Sequence, residues 1–282
     1  NGAARMRPTV VITGGSDGIG AAAARILSTR DVDLVIVGRS AEKTRAVAEE
    51  TGASFHIGDF ARLADVDRVA GEIAAGHGRI DVLANNAGGL FPGPQITDDG
   101  FEKTFQVDHL GPFLLTHRLL APLLTGRGAV VNTASIGAKV FGRLDLDDIQ
   151  TLTSFTSNRA YGNAKLANIL FTKGLHERFG AEGLSAVAFH PGVIATSFAA
   201  DSGTLMNRLY QGAAKRLLTS PAQGGGTLTH FITGTPGAEW RSGEYYSDRL
   251  QIARTNRAAY DPEVVRRHWE ISEELLRRRG WL

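Results

Sequence analysis

Residues 9–20 read TVVITGGSDGIG, and the fold turns on this stretch. Its first five residues are mostly β-branched and nearly free of polarity, as expected of a strand buried on both faces of a parallel sheet. Glycines follow at Gly14, Gly15, Gly18 and Gly20, and the alanine-rich residues 21–27 favour helix. Strand, glycine turn and helix make a phosphate-binding geometry. Glycine lets backbone N–H groups approach an anion, and the helix N-terminus adds partial positive charge. The spacing, Gly14-x-x-x-Gly18-x-Gly20, is not the G-x-G-x-x-G fingerprint. A tight strand-to-helix turn also needs glycine, so the flanking elements carry the nucleotide reading. Ser16, Asp17 and Ile19 complete the turn as candidate cofactor contacts, although Asp17 adds negative charge where a basic residue would help.

Four strand–helix alternations before residue 110 extend the pattern and predict a doubly wound parallel sheet. The second strand, residues 33–37, ends in Gly38-Arg39-Ser40. In dinucleotide folds an acidic residue there binds the ribose 2′-hydroxyl of NAD. This chain instead offers Arg39, which can stack on adenine or fork onto a 2′-phosphate, with Ser40 adding a hydroxyl. NADP(H) is therefore expected in preference to NAD(H). A third strand, residues 54–57, leads to Asp59 and Phe60. Asp59 is either an acceptor for the adenine amino group or a turn or N-cap residue. A fourth strand, residues 80–84, runs into Asn85-Asn86-Ala87-Gly88-Gly89, a tight backbone suited to a ligand's edge.

Thr97 is the expected cap of a long helix through Phe101, Phe105, Leu110, Phe113, Leu114 and Leu119, a stripe that reads as core or subunit interface. Pro112 has no N–H, so the carbonyl of Asp108 loses its helical partner and a kink is expected. A fifth strand, residues 128–133, delivers Ser135 to the sheet's C-terminal edge, where open α/β sheets bind ligands. Residues 137–159 read as a loop with a helical turn near Leu146. A strong helix begins at Tyr161 and puts Tyr161 and Lys165 on one face. Gly224-Gly225-Gly226 lies in a helical pattern and suits close packing.

Composition narrows the function. The 282 residues have a net charge of +2 and no long like-charge run, which speaks against a nucleic-acid partner. Arg277-Arg278-Arg279 reads as a solvated helix C-terminus. There are no cysteines, which excludes disulfides, thiolate metal sites and cysteine nucleophiles, and no metal site is expected. The N-terminal residues lack a secretory apolar region, and no apolar run reaches ~18 residues. A soluble, cytoplasmic protein is expected.

Taken jointly, Thr13-Gly14-x-x-x-Gly18-x-Gly20, Asn85-Asn86-Ala87-Gly88, Ser135, Tyr161-x-x-x-Lys165 and Pro191-Gly192 resemble the short-chain dehydrogenase/reductase family over nearly the whole chain. The 26-residue step from Ser135 to Tyr161 is longer than in many members. With Val107-x-His109-Leu110-Gly111, Leu166-Ala167-Asn168, His190-Pro191-Gly192-Val193 and Gly243-Glu244-Tyr245-Tyr246-Ser247-Asp248, the chain is similar to the retinol dehydrogenase-like branch. Members of that branch often carry a membrane anchor, and none is expected here.

The resemblance implies one Rossmann-type α/β domain over residues 1–282, a doubly wound parallel β-sheet flanked by helices on both faces. It implies that Tyr161 is the general acid in carbonyl reduction and the base in alcohol oxidation. Lys165 would favour the phenolate and hold the nicotinamide ribose, and Ser135 would hydrogen-bond the substrate oxygen. Asn86, Ala87 and Gly88 would form the cofactor wall, with Pro191, Gly192, Val193 and Thr196 on the nicotinamide side. Asp108 stands where the family's fourth catalytic residue is usually Asn. In the family that residue's main-chain carbonyl helps hold a water leading to Lys165, so activity is expected to survive the change. An apolar lid over residues 195–219, with Phe141, Leu144 and Phe155, suggests a lipophilic ketone or aldehyde. The expected partner is thus a small-molecule carbonyl or alcohol, and the family's habits suggest a homo-oligomer. The competing reading is an NADP(H)-binding regulatory protein with vestigial catalytic residues; a partner-binding scaffold with no dinucleotide affinity is a third.

Overall fold

The computed structural model describes residues 7–193 and 219–282. Strand β1 (Thr9–Thr13) is buried along its whole length. The glycine turn feeds α1 (Gly18–Leu27), and the pattern repeats through β2 (Asp33–Gly38), α2 (Ala41–Thr51), β3 (Ser54–Ile57), α3 (Leu63–Gly76) and β4 (Val82–Asn85). Later come β5 (Ala129–Thr133), β6 (Ser185–Phe189) and the two-residue β7 (Tyr245–Tyr246). Among the described residues the seven strands form one sheet in the order β3-β2-β1-β4-β5-β6-β7, with parallel pairing between each neighbouring two. Ile12 aligns with Ile36 on one side and Ala84 on the other. Strand order reverses between β1 and β4, which opens a crevice at their C-terminal ends.

Alternation within the strands explains their apolar sequences. Val11, Val35, Leu83 and Val130 face one core layer, while Ile12, Ile36, Ala84 and Val131 face the other. Cover on both faces keeps the central strands from water, whereas the edge strand β3 leaves Ser54 and Phe55 exposed. The first layer is closed by α3, α5 (Gly111–Arg118), α8 (Ser157–Phe179) and α10 (Pro262–Arg278), and the second by α1 and α9 (Pro221–Thr233). Arg277 and Arg278 occupy the last turn of α10, paired with Glu273 and Glu274. Among the described residues, no helix is long and apolar enough to cross a membrane.

Thr97 does not cap a long helix. Its hydroxyl donates to Gln106 (2.5 Å), and the chain stays extended enough for Ile96 to bridge Glu102. The cap is Glu102, whose carboxylate accepts the Phe105 amide at 2.9 Å as α4 (Lys103–Phe105) begins. The expected kink is a π-turn over Gln106–Leu110, with the Gly111 amide donating to the Gln106 carbonyl. Pro112 explains it, since an amide-free residue cannot complete the α-helical bond to Asp108. The apolar stripe is core: Phe105, Leu110, Phe113 and Leu119 are buried. After α6 (Leu120–Gly126) and β5, the short α7 (Gly137–Val140) opens the loop that follows; near Leu146, where a helical turn is expected, the Asp148 amide donates to the Asp145 carbonyl at 3.2 Å and the Thr151 amide to the Asp148 carbonyl at 2.8 Å. Helix α8 starts four residues before Tyr161, because the Thr156 hydroxyl accepts the Arg159 amide at 3.1 Å and caps it.

Gly225 is where α9 meets α1. A Cβ there would stand 2.5 Å from the Ala22 Cβ and 2.9 Å from the Ala23 nitrogen. Gly225→Val must therefore push two helices apart, and a loss of about 1–3 kcal/mol is expected in the urea midpoint. Gly226→Ala meets open space and is expected to be neutral or slightly stabilising by the same measurement.

Candidate active site

The phosphate turn is built by steric necessity. Gly14 has φ +65°, and a Cβ on it would lie 2.9 Å from the Ala87 Cα; a Cβ on Gly20 would collide with the Gly14 carbonyl oxygen. The turn thus packs directly on the backbone leaving β4, and α1 begins at Gly18 with Asp17 as its N-cap. One Asp17 oxygen accepts the Gly18 amide at 2.8 Å and the other pairs with Lys43 Nζ at 2.7 Å. Lys43 holds the Asp17 carboxyl below its usual range. Lys43, which no local sequence signal marks, offsets the negative charge beside the turn.

Gly38, where an acid would select NAD, is glycine for a steric reason. A Cβ there would collide with Thr44 Oγ1 and stand 2.9 Å from the Ser16 Cβ. Arg39 beside it is exposed, and Ser40 caps α2 by accepting the Lys43 amide at 3.3 Å. Lys43 lies in the first turn of α2, four residues after Arg39. Asp59 occupies a turn, accepting the Ala61 amide at 2.9 Å, and does not cap α3. The Phe60 ring is buried in the core, so any contact it makes with a nucleotide is through its backbone.

The strand ends are cross-braced. The Thr13 hydroxyl accepts the Asn86 and Ala87 amides at 3.1 and 3.0 Å, and Thr133 donates to Asn86 Oδ1 at 3.1 Å. Beneath them Asn85 donates to Asn132 (3.0 Å), and Asn132 to Thr172 of α8 (2.8 Å). This buried ladder ties β4 and β5 to the helix that carries Tyr161 and Lys165. Polar residues inside otherwise apolar strands were its only sequence signal.

Ser135, Tyr161 and Lys165 come together. A Cβ built on Gly137 would lie 3.3 Å from Ser135 Oγ and 3.2 Å from Tyr161 Cε1, so both side chains flank one small residue. Ser135 Oγ accepts the Gly137 amide at 3.0 Å, which fixes its rotamer. Lys165 Nζ lies 5.6 Å from the centre of the Tyr161 ring and donates to the Thr133 carbonyl at 3.2 Å. Tyr161 is half-buried, while Lys165 is only 3% exposed. Asn163 holds the loop over this helix turn: its carbonyl accepts the Arg143 amide at 2.6 Å and its amide donates to Thr151 at 2.7 Å.

Asp108 is wholly buried at the π-turn, with one oxygen accepting the Gly89 amide at 2.7 Å and the other 3.8 Å from Lys165 Nζ. Burial pushes its carboxyl up to about 6, against the pull of Lys165. Gly88 packs over the pair; a Cβ there would stand 2.9 Å from Lys165 Nζ. Gly192 has φ +89°, its amide donates to His190 Nδ1 at 3.3 Å, and the Val193 carbonyl accepts the Thr219 amide at 2.7 Å, placing Pro191-Gly192-Val193 beyond β6. Thr196 and residues 195–218 of the expected lid lie outside the described residues. Of the three apolar loop residues, Leu144 packs against the core cluster of Leu166 and Val265, and Phe155 lies over Gly93.

A doubly wound parallel sheet with this constellation at its switch-point edge defines a nucleotide-dependent oxidoreductase scaffold, and the comparisons with known proteins agree. The sequence profile described as short chain dehydrogenase matches residues 8–206. The chain belongs to the short-chain dehydrogenase/reductase family of oxidoreductases, in its retinol dehydrogenase-like branch. It is 35% identical over 271 residues to a Streptomyces sp. (strain C5) protein assigned provisionally as the daunorubicin C-13 ketoreductase DnrU, covering 94% of this chain and 91% of the relative. It is 35% identical to mouse retinol dehydrogenase 12, covering 95% and 85% of the two chains. Among solved structures it resembles an uncharacterised protein from Mycobacterium Paratuberculosis, with TM-score 0.74, 30% identity and coverage of 96% and 93%.

Proposed function

We propose that this chain is an NADP(H)-dependent reductase of lipophilic ketones or aldehydes. The observation that carries the reading is the convergence of Ser135 Oγ and the Tyr161 ring on Gly137, with Lys165 Nζ behind the tyrosine. In carbonyl reduction Ser135 donates a hydrogen bond to the substrate oxygen, and Tyr161 gives that oxygen its proton as negative charge develops. Lys165 favours the phenolate that remains. The Asp108 main-chain carbonyl, freed of its α-helical partner by Pro112, suits the family's role of holding a water near Lys165.

The residues present fit a nicotinamide dinucleotide. Gly14 and Gly20 let the turn pack directly on the Ala87 backbone and on itself, and beyond the Gly18 amide, which Asp17 accepts, the first-turn amides of α1 have no helical acceptors of their own. Arg39, Ser40 and Lys43 would take the 2′-phosphate, Asn86 to Gly88 the wall, and Pro191 to Thr196 the carboxamide side. Bound there, the nicotinamide supplies the hydride. A lipophilic substrate accords with the daunorubicin and the retinol for which two relatives are named and with the apolar make-up of residues 195–219.

The test is binding of NADPH and NADH to wild type and Arg39→Ala. Wild type is expected to favour NADPH, and the variant to weaken NADPH binding by roughly 10- to 100-fold while NADH changes little. Equal binding of both cofactors by wild type would overturn the NADP assignment, and no binding of either would leave a scaffold.

A further inference from the structure

Asp108 carries a buried charge that the proton-transfer chemistry above does not use. One of its oxygens is anchored on the Gly89 amide; the other, Oδ2, is buried with no hydrogen-bond partner and lies 3.8 Å from Lys165 Nζ. The two side chains are 0% and 4% exposed, so water and salt barely screen them. The carboxylate thus acts on the same ammonium whose field reaches the Tyr161 ring, centred 5.6 Å from Nζ. Lys165 can favour a phenolate only with the field that Asp108 leaves uncancelled.

We propose that the Asp108 carboxylate is a positioning residue that offsets the Lys165 charge, keeps Tyr161 as a phenol at neutral pH and so favours carbonyl reduction over alcohol oxidation. The proposal rests on the acid role given to Tyr161. No bond is made or broken at Asp108; Tyr161 still passes its own proton to the substrate oxygen.

Among the described residues, the charged groups acting on Asp108 are Lys165 from α8, which also lies against the Tyr161 ring, and Glu102, itself buried, from the start of α4. His109 on the same turn is directed into Phe105, Phe113, Phe171 and His268. Glu102 adds to the burial that raises the Asp108 carboxyl to about 6, while Lys165 and the Gly89 amide lower it. The offset is thus present at pH 8 and lost as Asp108 protonates below about pH 6.

Asp108→Asn tests this, because the amide oxygen can still accept from Gly89 while the charge is gone. The first readout is the ultraviolet titration of the Tyr161 phenolate, taken as the difference from a Tyr161→Phe background of each protein. Its midpoint is expected about one pH unit lower in D108N. The second is the pH profile of both reaction directions. At pH 8 oxidation should rise and reduction fall several-fold relative to wild type, while at pH 5 the two proteins should coincide.

An unchanged midpoint in an active pair would overturn the proposal alone. Wild-type protein that turns over no carbonyl would overturn the role of Tyr161, and with it the directional bias. If D108N does not fold, Asp108→Ser keeps an acceptor for Gly89 and is read the same way.

Discussion

Tyr161→Phe is expected to lower turnover by roughly 10³-fold while NADPH binds within about threefold of wild type. The variant removes a single oxygen. The ring that flanks Gly137 and lies 5.6 Å from Lys165 Nζ is retained, so the packing of α8 against α7 has no reason to change. Ser135 still polarises the substrate oxygen, which leaves residual activity from binding and orientation, but the negative charge forming on that oxygen has no proton to take. Single-turnover reduction of a panel of lipophilic ketones, with NADPH affinity measured by fluorescence, separates the two effects. A fall smaller than tenfold with affinity preserved would show that another group supplies the proton.

The sequence made this prediction possible because the relevant signals are local. A buried strand, a glycine turn and an alanine-rich helix are adjacent in the chain, and Tyr161 and Lys165 share a helix face by their spacing. What escaped notice depends on contacts between distant residues. Lys43 meets Asp17 across 26 positions, and the Thr13 hydroxyl meets the Asn86 amide across 73. Nothing near either residue announces its partner. Thr97 misled for a different reason: it has a good capping side chain, but its hydroxyl is engaged by Gln106, and Glu102 offers the Phe105 amide a carboxylate. Gly38 shows that one residue can have two explanations. It stands where an NAD site would carry its acid, and the structure adds a steric cause, the packing of Thr44 and Ser16 against the end of β2. Strand β7 has only two residues, too few for any alternation to be read.

Lys165→Met is expected to cost both function and fold, and the two losses separate with pH. Turnover should fall by about 10²-fold or more, since the phenolate loses its cation. Stability should fall because the variant leaves Asp108 buried without its cation and deprives the Thr133 carbonyl of a donor. Breaking one side of a buried ion pair costs about 3–5 kcal/mol when the remaining group stays charged. Asp108 can avoid that cost by taking up a proton. Its carboxyl already sits at about 6 in the folded protein against an ordinary 3.8, and losing Lys165 moves it further up. A group whose folded value is raised binds its proton more tightly in the native state, so its contribution declines as pH rises through that value. The deficit of K165M relative to wild type should therefore be small near pH 5 and grow between about pH 6 and 8, as read from paired urea midpoints. Adding Asp108→Asn to K165M should restore most of the stability at pH 8 and none of the turnover. A deficit that is the same at both pH values, or that D108N leaves in place, would assign the loss to packing of the lysine stem and remove the case for a buried, charge-coupled pair.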